Sequence, residues 1–89
     1  MVVGCLTLWV SNLMHAERDI AAATGDLIAA MHDAPGAIIL VSNEVGLGIV
    51  PDNALARRFR DEAGRVNQAV AAAADEVSFV AAGLPLRLK

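Results

Sequence analysis

The chain has 89 residues, of which 56% are apolar and 19% charged, and its formal net charge is −3. A chain of this length forms at most one small domain, so residues 1–89 are interpreted as a single unit. The acidic balance argues against a protein that binds nucleic acid or an anionic membrane surface, because that affinity requires many Lys and Arg side chains. A single cysteine, Cys5, cannot form an internal disulfide and indicates a reducing cytoplasm, and no apolar run approaches the ~20 residues that span a bilayer.

The first half of the chain predicts a strand, a helix and a second strand. Residues 2–6 predict a short buried strand, and residues 7–13 leave it as a turn followed by a helical turn. A helix is predicted from residue 16 to about residue 32, where apolar residues recur at spacings of three and four. Residues 33–36 contain Pro and Gly and end that helix. Residues 37–41 have no polar side chain, which is typical of a strand covered on both faces.

The second half predicts the longest helix of the chain and two further strands. After a loop that contains two glycines, Pro51 and Asp52 mark the predicted start of a helix that Asp75 and Glu76 close. Residues 77–82 predict a third strand, and the alternation in residues 86–89 predicts a last edge strand.

This order of elements predicts an α/β fold. Strands that alternate with helices indicate a parallel sheet of about three strands with flanking helices, to which the short C-terminal strand adds an edge. In such sheets ligands bind at the carboxyl ends of the strands. The candidate site therefore comprises the residues just after each strand, which are 4–7, 42–44 and 82–83.

Four segments of the chain carry a family resemblance: residues 5–13 (CLTLWVSNL), 41–51 (VSNEVGLGIVP), 55–61 (LARRFRD) and 63–68 (AGRVNQ). Together they resemble the carboxy-terminal half of the bifunctional adenosylcobinamide kinase/adenosylcobinamide-phosphate guanylyltransferase family. The resemblance implies a partial RecA-like P-loop NTPase fold and a cytoplasmic homotrimer. It also implies a role in cobalamin biosynthesis, in which adenosylcobinamide is phosphorylated and GMP is then transferred from GTP to that phosphate, with GTP or ATP and Mg²⁺ as cofactors.

The departures from the family pattern concern its catalytic groups. In members of this family the amino-terminal half carries the phosphate loop GxxxxGK[ST] and the histidine that accepts the guanylyl group. No Gly-Lys-Ser or Gly-Lys-Thr occurs in these 89 residues. The family places an Asp or Glu just before the cysteine, in the Walker B position, where this chain has Gly4. We therefore expect the chain alone to bind no nucleotide and to be inactive, and we assign it no catalytic residue.

Four residues are the candidates for contacts to a nucleotide or substrate in an intact enzyme. Asn43 and Glu44 follow the second predicted strand, residues 37–41, although both residues could also simply cap the strand and fix the next loop. Thr7 and Asn12 follow the first strand. Thr7 could contact a phosphate or a Mg²⁺-bound water, and the alternative role of both residues is turn and helix capping. No metal site is predicted, because the two histidines have no partners at metal-ligand spacing.

Two other hypotheses remain open from the sequence. The chain could be a degenerate, non-catalytic α/β module that persists by oligomerising, or one half of a split enzyme whose other half is supplied in trans. Both hypotheses require a partner surface. A strand missing from the sheet would leave apolar edges exposed, because the resemblance places the phosphate-loop strand between the second and third strands of this chain.

Overall fold

The computed structural model describes residues 2–43 and 53–89. Within these ranges the chain forms an α/β arrangement of short strands and three helices. Glu44 and the glycine loop that precedes Asn53 lie outside the described residues. The elements follow one another as β1 (Val2–Cys5), α1 (Leu6–His15), α2 (Ile20–Asp33), β2 (Ile38–Val41), α3 (Ala54–Ala73), β3 (Ser78–Ala81) and β4 (Leu84–Arg87).

β1 and β2 form a parallel pair that is connected through α1 and α2. Their register aligns Gly4 with Leu40 and Cys5 with Val41, so both strands end at the same edge. The predicted strands are confirmed with slightly shorter bounds. The predicted helical turn after β1 is a full helix of 10 residues that begins at Leu6, directly after the strand.

The helix boundaries follow from their caps. The Asp19 side chain accepts a hydrogen bond from the backbone N–H of Ala22 at 3.1 Å, so α2 begins at Ile20, later than the predicted residue 16. The side chain of Asn53 accepts from the N–H groups of Leu55 (2.8 Å) and Ala56 (3.3 Å). The structure therefore places the start of α3 at Ala54, after the predicted start near Pro51, since Asn53 satisfies the first free N–H groups.

The core lies between the three helices, and α3 packs against both α1 and α2. Ala63 and the two valines of α3 are small, which lets the helices approach closely, and half-buried side chains such as Leu40 and Phe59 pack around the same cluster. The buried apolar side chains are Leu6, Val10, Met14, Ile20, Ala63, Val66 and Val70.

The prediction of a parallel sheet of about three strands is wrong for this structure. β3 does not join β1 and β2; it pairs with β4 in a separate antiparallel hairpin. The physical reason is local, because Ala82 and Gly83 both adopt positive φ (52° and 75°), as the two central residues of a tight hairpin turn do. That turn pairs β3 with the very next segment and makes β4 begin at Leu84, two residues before the predicted edge strand.

The hairpin is attached to the end of α3 by the C-terminal residue. The Lys89 ammonium donates to the backbone carbonyl oxygens of Ala71 (3.1 Å) and Ala72 (2.9 Å). A cation is favoured there because the last carbonyl groups of a helix carry partial negative charge. The backbone N–H of Leu88 also donates to the Val77 carbonyl oxygen at 2.8 Å.

One face of the β1–β2 pair is uncovered in the described part of the chain. Gly4 and Leu40 are half-buried on the side of the helices, whereas Val3, Ile39 and Val41 on the opposite face are 63%, 46% and 55% exposed. Within residues 2–43 and 53–89, β2 is therefore covered on one face only, and not on both faces as expected for a parallel strand. None of the described helices has both the length and the apolar character that a membrane span requires.

Candidate functional site

Four polar residues meet where β1 and β2 end. Thr7 lies in the first turn of α1, Ser42 and Asn43 directly follow β2, and Asn67 lies on α3. The carboxyl ends of parallel strands share one edge of the sheet, so these segments of distant sequence come together there. We call Thr7, Ser42, Asn43 and Asn67 the carboxyl-edge cluster.

The cluster is linked by side-chain hydrogen bonds. The backbone N–H of Asn43 donates to Thr7 Oγ1 at 2.9 Å, and Ser42 Oγ donates to Asn67 Oδ1 at 2.6 Å. Asn67 Nδ2 in turn donates to the Asn43 carbonyl oxygen at 3.3 Å, while the Thr7 and Ser42 hydroxyl oxygens lie 3.4 Å apart. α1, β2 and α3 are thus connected through two hydroxyl groups and one amide.

The chemistry of the cluster is that of binding. All four side chains are neutral, so they can donate and accept hydrogen bonds but supply no general base at neutral pH. Asn43 is exposed, whereas Thr7, Ser42 and Asn67 are half-buried, so a ligand can reach the cluster from the sheet edge. A threonine hydroxyl and an asparagine amide of this kind suit phosphoryl, ribose or amide groups of a ligand.

The cluster does not by itself fit Mg²⁺. That ion is held in proteins by carboxylates together with substrate phosphates, and the cluster contains no carboxylate. Residues 2–43 and 53–89 also contain no group of three His, Cys, Asp or Glu side chains that could hold a metal ion.

The structure unites two of the four predicted contact residues. Thr7 and Asn43 are joined directly by the 2.9 Å hydrogen bond. Asn12 lies five residues further along α1, about 7.5 Å along the helix axis, with an exposed side chain outside the cluster. Glu44 lies outside the described residues. The roles of all four residues in ligand binding remain predictions.

Gly4, at the position where the family resemblance places a carboxylate, is not part of the cluster. A Cβ at Gly4 would lie 3.3 Å from Leu40 Cδ2, on the helix side of the sheet. A side chain there would project beside an apolar groove of about 220 Å³, whose lining residues are Gly4, Cys5, Leu6, Trp9, Leu27 and Leu40.

Sequence reasoning missed Asn67 and placed Ser42 only in a wider range of candidates. Asn67 follows buried Val66 and lies four residues after Ala63 and three before Val70, both of which are also buried. A polar side chain bordering an apolar helix stripe at these spacings is the signal that could have identified it, because such a side chain needs a partner.

A second concave surface lies between α1 and the start of α3. Its volume is about 370 Å³, and it is bounded at one side by Asn53, the residue that caps α3. Its mostly apolar lining offers few groups for recognition of a charged ligand, so it is the weaker candidate. The lining residues are Ser11, Met14, His15, Asn53, Leu55, Ala56 and Phe59.

Comparison with known proteins gives one consistent family. The family model for cobinamide kinase/cobinamide phosphate guanyltransferase (CobU) matches residues 1–88. The chain is 45% identical to the bifunctional adenosylcobalamin biosynthesis protein CobU of Salmonella typhimurium, over the whole chain and 58% of that protein. It is 47% identical to the bifunctional adenosylcobalamin biosynthesis protein CobP of Pseudomonas aeruginosa, over the whole chain and 53% of that protein.

The Escherichia coli CobU protein is 42% identical, again over the whole chain and 58% of its own length. The chain thus spans little more than half the length of the curated relatives that it matches. Because the family model covers all but the last residue, the chain belongs to the cobinamide kinase/cobinamide phosphate guanyltransferase family.

Proposed function

We propose that this chain is the carboxy-terminal part of an enzyme that phosphorylates adenosylcobinamide and transfers GMP from GTP to adenosylcobinamide phosphate in cobalamin biosynthesis. The observation that carries the proposal is 42–47% identity over the whole chain to three bifunctional adenosylcobalamin biosynthesis proteins. In the complete assembly the fold would be RecA-like, with GTP or ATP and Mg²⁺ as cofactors, in a cytoplasmic homotrimer.

Within that assembly the carboxyl-edge cluster contributes contacts to the nucleotide or to the cobinamide substrate. Support comes from its position at the edge where parallel sheets bind ligands and from its accessible Thr7 and Asn43 groups. These neutral side chains bind and orient a ligand. The phosphate cradle and the metal-binding carboxylate would come from residues other than the cluster.

We propose that the 89-residue chain alone carries out neither reaction. It contains no GxxxxGK[ST] sequence, and Gly4 stands at the family's carboxylate position. The relatives extend over almost twice its length. The exposed Val3, Ile39 and Val41 face supports a second layer of polypeptide on the sheet, supplied by the same chain or by a separate subunit in trans.

The same exposed face favours a second candidate function, a non-catalytic module that oligomerises. Four-residue strands about 4.8 Å apart and about 3.3 Å per residue present a footprint of only about 130 Å². A stable interface needs about 800 Å² on each partner. A second copy would therefore have to contact much more than this face, which makes the module the weaker candidate.

Calorimetric titration with GTP tests both functions. The purified chain is titrated alone, after circular dichroism has confirmed that it is folded, and again after co-expression with the part of the Pseudomonas aeruginosa relative that it does not match. We expect no binding by the chain alone and saturable binding by the co-expressed assembly. Saturable micromolar binding by the chain alone would contradict the proposed inactivity.

A matched pair of variants identifies the surface involved. Val41→Lys places a charge on the uncovered sheet face, whereas Leu8→Lys changes a side chain of similar exposure (61%) on α1. We expect only Val41→Lys to prevent assembly with the complementing part. A folded chain that instead forms homo-oligomers, binds no complementing part and dissociates as Val41→Lys would support the non-catalytic module.

A further inference from the structure

Asn67 connects the middle of α3 to the end of β2 through both ends of its amide. The Asn43 carbonyl oxygen can only accept a hydrogen bond, so the amide group 3.3 Å away must present Nδ2 to it. Oδ1 of the same amide then faces Ser42 Oγ at 2.6 Å. Because Oδ1 can only accept, the Ser42 hydroxyl must be the donor of this short hydrogen bond.

These directions determine the remaining proton of the cluster. Ser42 has a single hydroxyl hydrogen, and the 2.6 Å contact to Asn67 is much shorter than its 3.4 Å contact to the Asn43 carbonyl oxygen. Thr7 Oγ1 already accepts the Asn43 N–H at 2.9 Å. The only partner for the Thr7 hydrogen within the cluster is Ser42 Oγ at 3.4 Å, which is a long and weak contact.

We propose that Asn67 is a positioning residue. Its Oδ1 accepts the hydrogen bond from the Ser42 hydroxyl, and its Nδ2 donates to the Asn43 carbonyl oxygen. These two bonds keep the Asn43 N–H on Thr7 Oγ1 and leave the Thr7 O–H free to donate to an acceptor oxygen of the ligand. Asn67 itself does not touch the ligand. The inference deepens the proposed function, on which its ligand-binding part rests, because it says which cluster atom donates and what orients it.

The first test measures amide hydrogen exchange of Asn43 by NMR in the 89-residue chain, without any ligand. Asn67→Leu removes both Oδ1 and Nδ2 of the amide, and Asn67→Asp has nearly the same shape but cannot donate to the Asn43 carbonyl oxygen. Gln68→Leu, at the exposed neighbouring position of α3, is the matched control. We expect both Asn67 variants to accelerate Asn43 exchange by about three- to tenfold, with no change in the control.

The hydrogen-exchange result decides whether Asn67 positions Asn43 in the 89-residue chain. Acceleration at Asn43 together with unchanged exchange in the middle of α3 supports it, because a general loss of stability would accelerate both. Unchanged Asn43 exchange in Asn67→Asp, a variant expected to fold, would overturn it.

The second test measures coupling in the co-expressed assembly. GTP affinity is compared for Thr7→Val, Asn67→Leu and the double variant. If Asn67 acts through Thr7, the double variant loses no more affinity than Thr7→Val alone. Independent losses that multiply would overturn the inference. If the unaltered assembly binds no GTP, the proposed function fails, and the exchange experiment still decides whether Asn67 positions Asn43 and Thr7.

Discussion

The carboxyl-edge cluster and the β3–β4 hairpin show two ways in which this chain holds the end of a strand. In the cluster, side chains from α1, the end of β2 and α3 bond to one another, and buried side chains of both helices lie in the core. The hairpin depends on backbone pairing and on Lys89, and every residue from 81 to 89 is exposed.

This difference indicates which part of the chain has its polar groups paired and its apolar side chains buried without further polypeptide. In the described residues every buried side-chain nitrogen or oxygen has a hydrogen-bond partner. The helices and the cluster therefore leave no buried polar side-chain atom unpaired. The hairpin instead presents Val80, Leu84 and Leu86 to solvent. Its apolar side chains suit burial by further polypeptide, whereas the cluster is arranged without it.

The largest contrast between the two regions is expected from truncating one leucine in each. Leu6 of α1 is 5% exposed, and Leu84 of the hairpin is 71% exposed. Leu6→Ala should lower the free energy of unfolding by about 2–5 kcal/mol, because it leaves a cavity in the helical core. Leu84→Ala should change it by less than about 0.5 kcal/mol. Urea denaturation followed by circular dichroism measures both, and equal losses would contradict the division.

Introducing an acidic side chain at Gly4 tests the apolar groove that lies on the helix side of the sheet, next to the cluster. Gly4→Glu should destabilise the chain by about 1–3 kcal/mol, since its Cβ would start 3.3 Å from Leu40 Cδ2 and its carboxylate beside apolar side chains. Gly25→Glu on α2 is the control, because a Cβ there meets nothing within 4 Å. That control should be neutral or stabilising by up to about 1 kcal/mol. A neutral Gly4→Glu would mean that the acidic side chain finds solvent or a partner.

Removing one serine hydroxyl from each region compares how much a hydrogen-bonded hydroxyl of the cluster and an exposed hydroxyl of the hairpin contribute to stability. Ser42→Ala leaves Asn67 Oδ1 without its 2.6 Å donor and should lower the free energy of unfolding by about 1–2 kcal/mol. Ser78→Ala, at an exposed position of β3, should have an effect within about 0.5 kcal/mol. Both are measured by urea denaturation, and a Ser42 variant as stable as the Ser78 variant would show that water replaces the hydroxyl.

The sequence predicted the parts of this fold that depend on local patterns. Apolar runs bounded by turn residues located β1 and β2, and the spacing of buried residues located α3. The hairpin was missed because the pattern of residues 77–82 shows a strand but not its partner, which the positive φ angles of Ala82 and Gly83 decide. α3 begins at Ala54, after the predicted Pro51 and Asp52, because the start of a helix depends on the side chain that caps it and not on the apolar spacing.

The candidate site was predictable only in part, for a similar reason. Thr7 and Asn43 follow strands, and parallel topology alone brings strand ends together. Asn67 reaches the cluster from 24 residues beyond Asn43 through the packing of α3, and no local spacing relates the two positions. Its position beside the buried apolar side chains of α3 shows that its amide needs a hydrogen-bond partner but does not identify that partner.

The smallest expected effect concerns the attachment of the hairpin to α3. Lys89→Met keeps the length of the side chain but removes the ammonium that donates to the Ala71 and Ala72 carbonyl oxygens. A cation at a helix C-terminus contributes about 0.3–1 kcal/mol, so hydrogen exchange of the Leu88 amide should accelerate by about two- to fivefold. The difference should shrink at high salt, which screens this charge.

Arg65→Met is the matched control for Lys89→Met, because Arg65 lies 2.9 Å from Glu62 in an ion pair on α3 whose arginine side chain is 68% exposed. Exposed ion pairs of this kind contribute little, so this control should leave Leu88 exchange nearly unchanged. Exchange of the Ser42–Asn43 segment should remain unchanged in both variants, since the cluster is stabilised by α1 and α3 and not by the hairpin. Acceleration there would mean that the two regions unfold together and that the contrast between them does not hold.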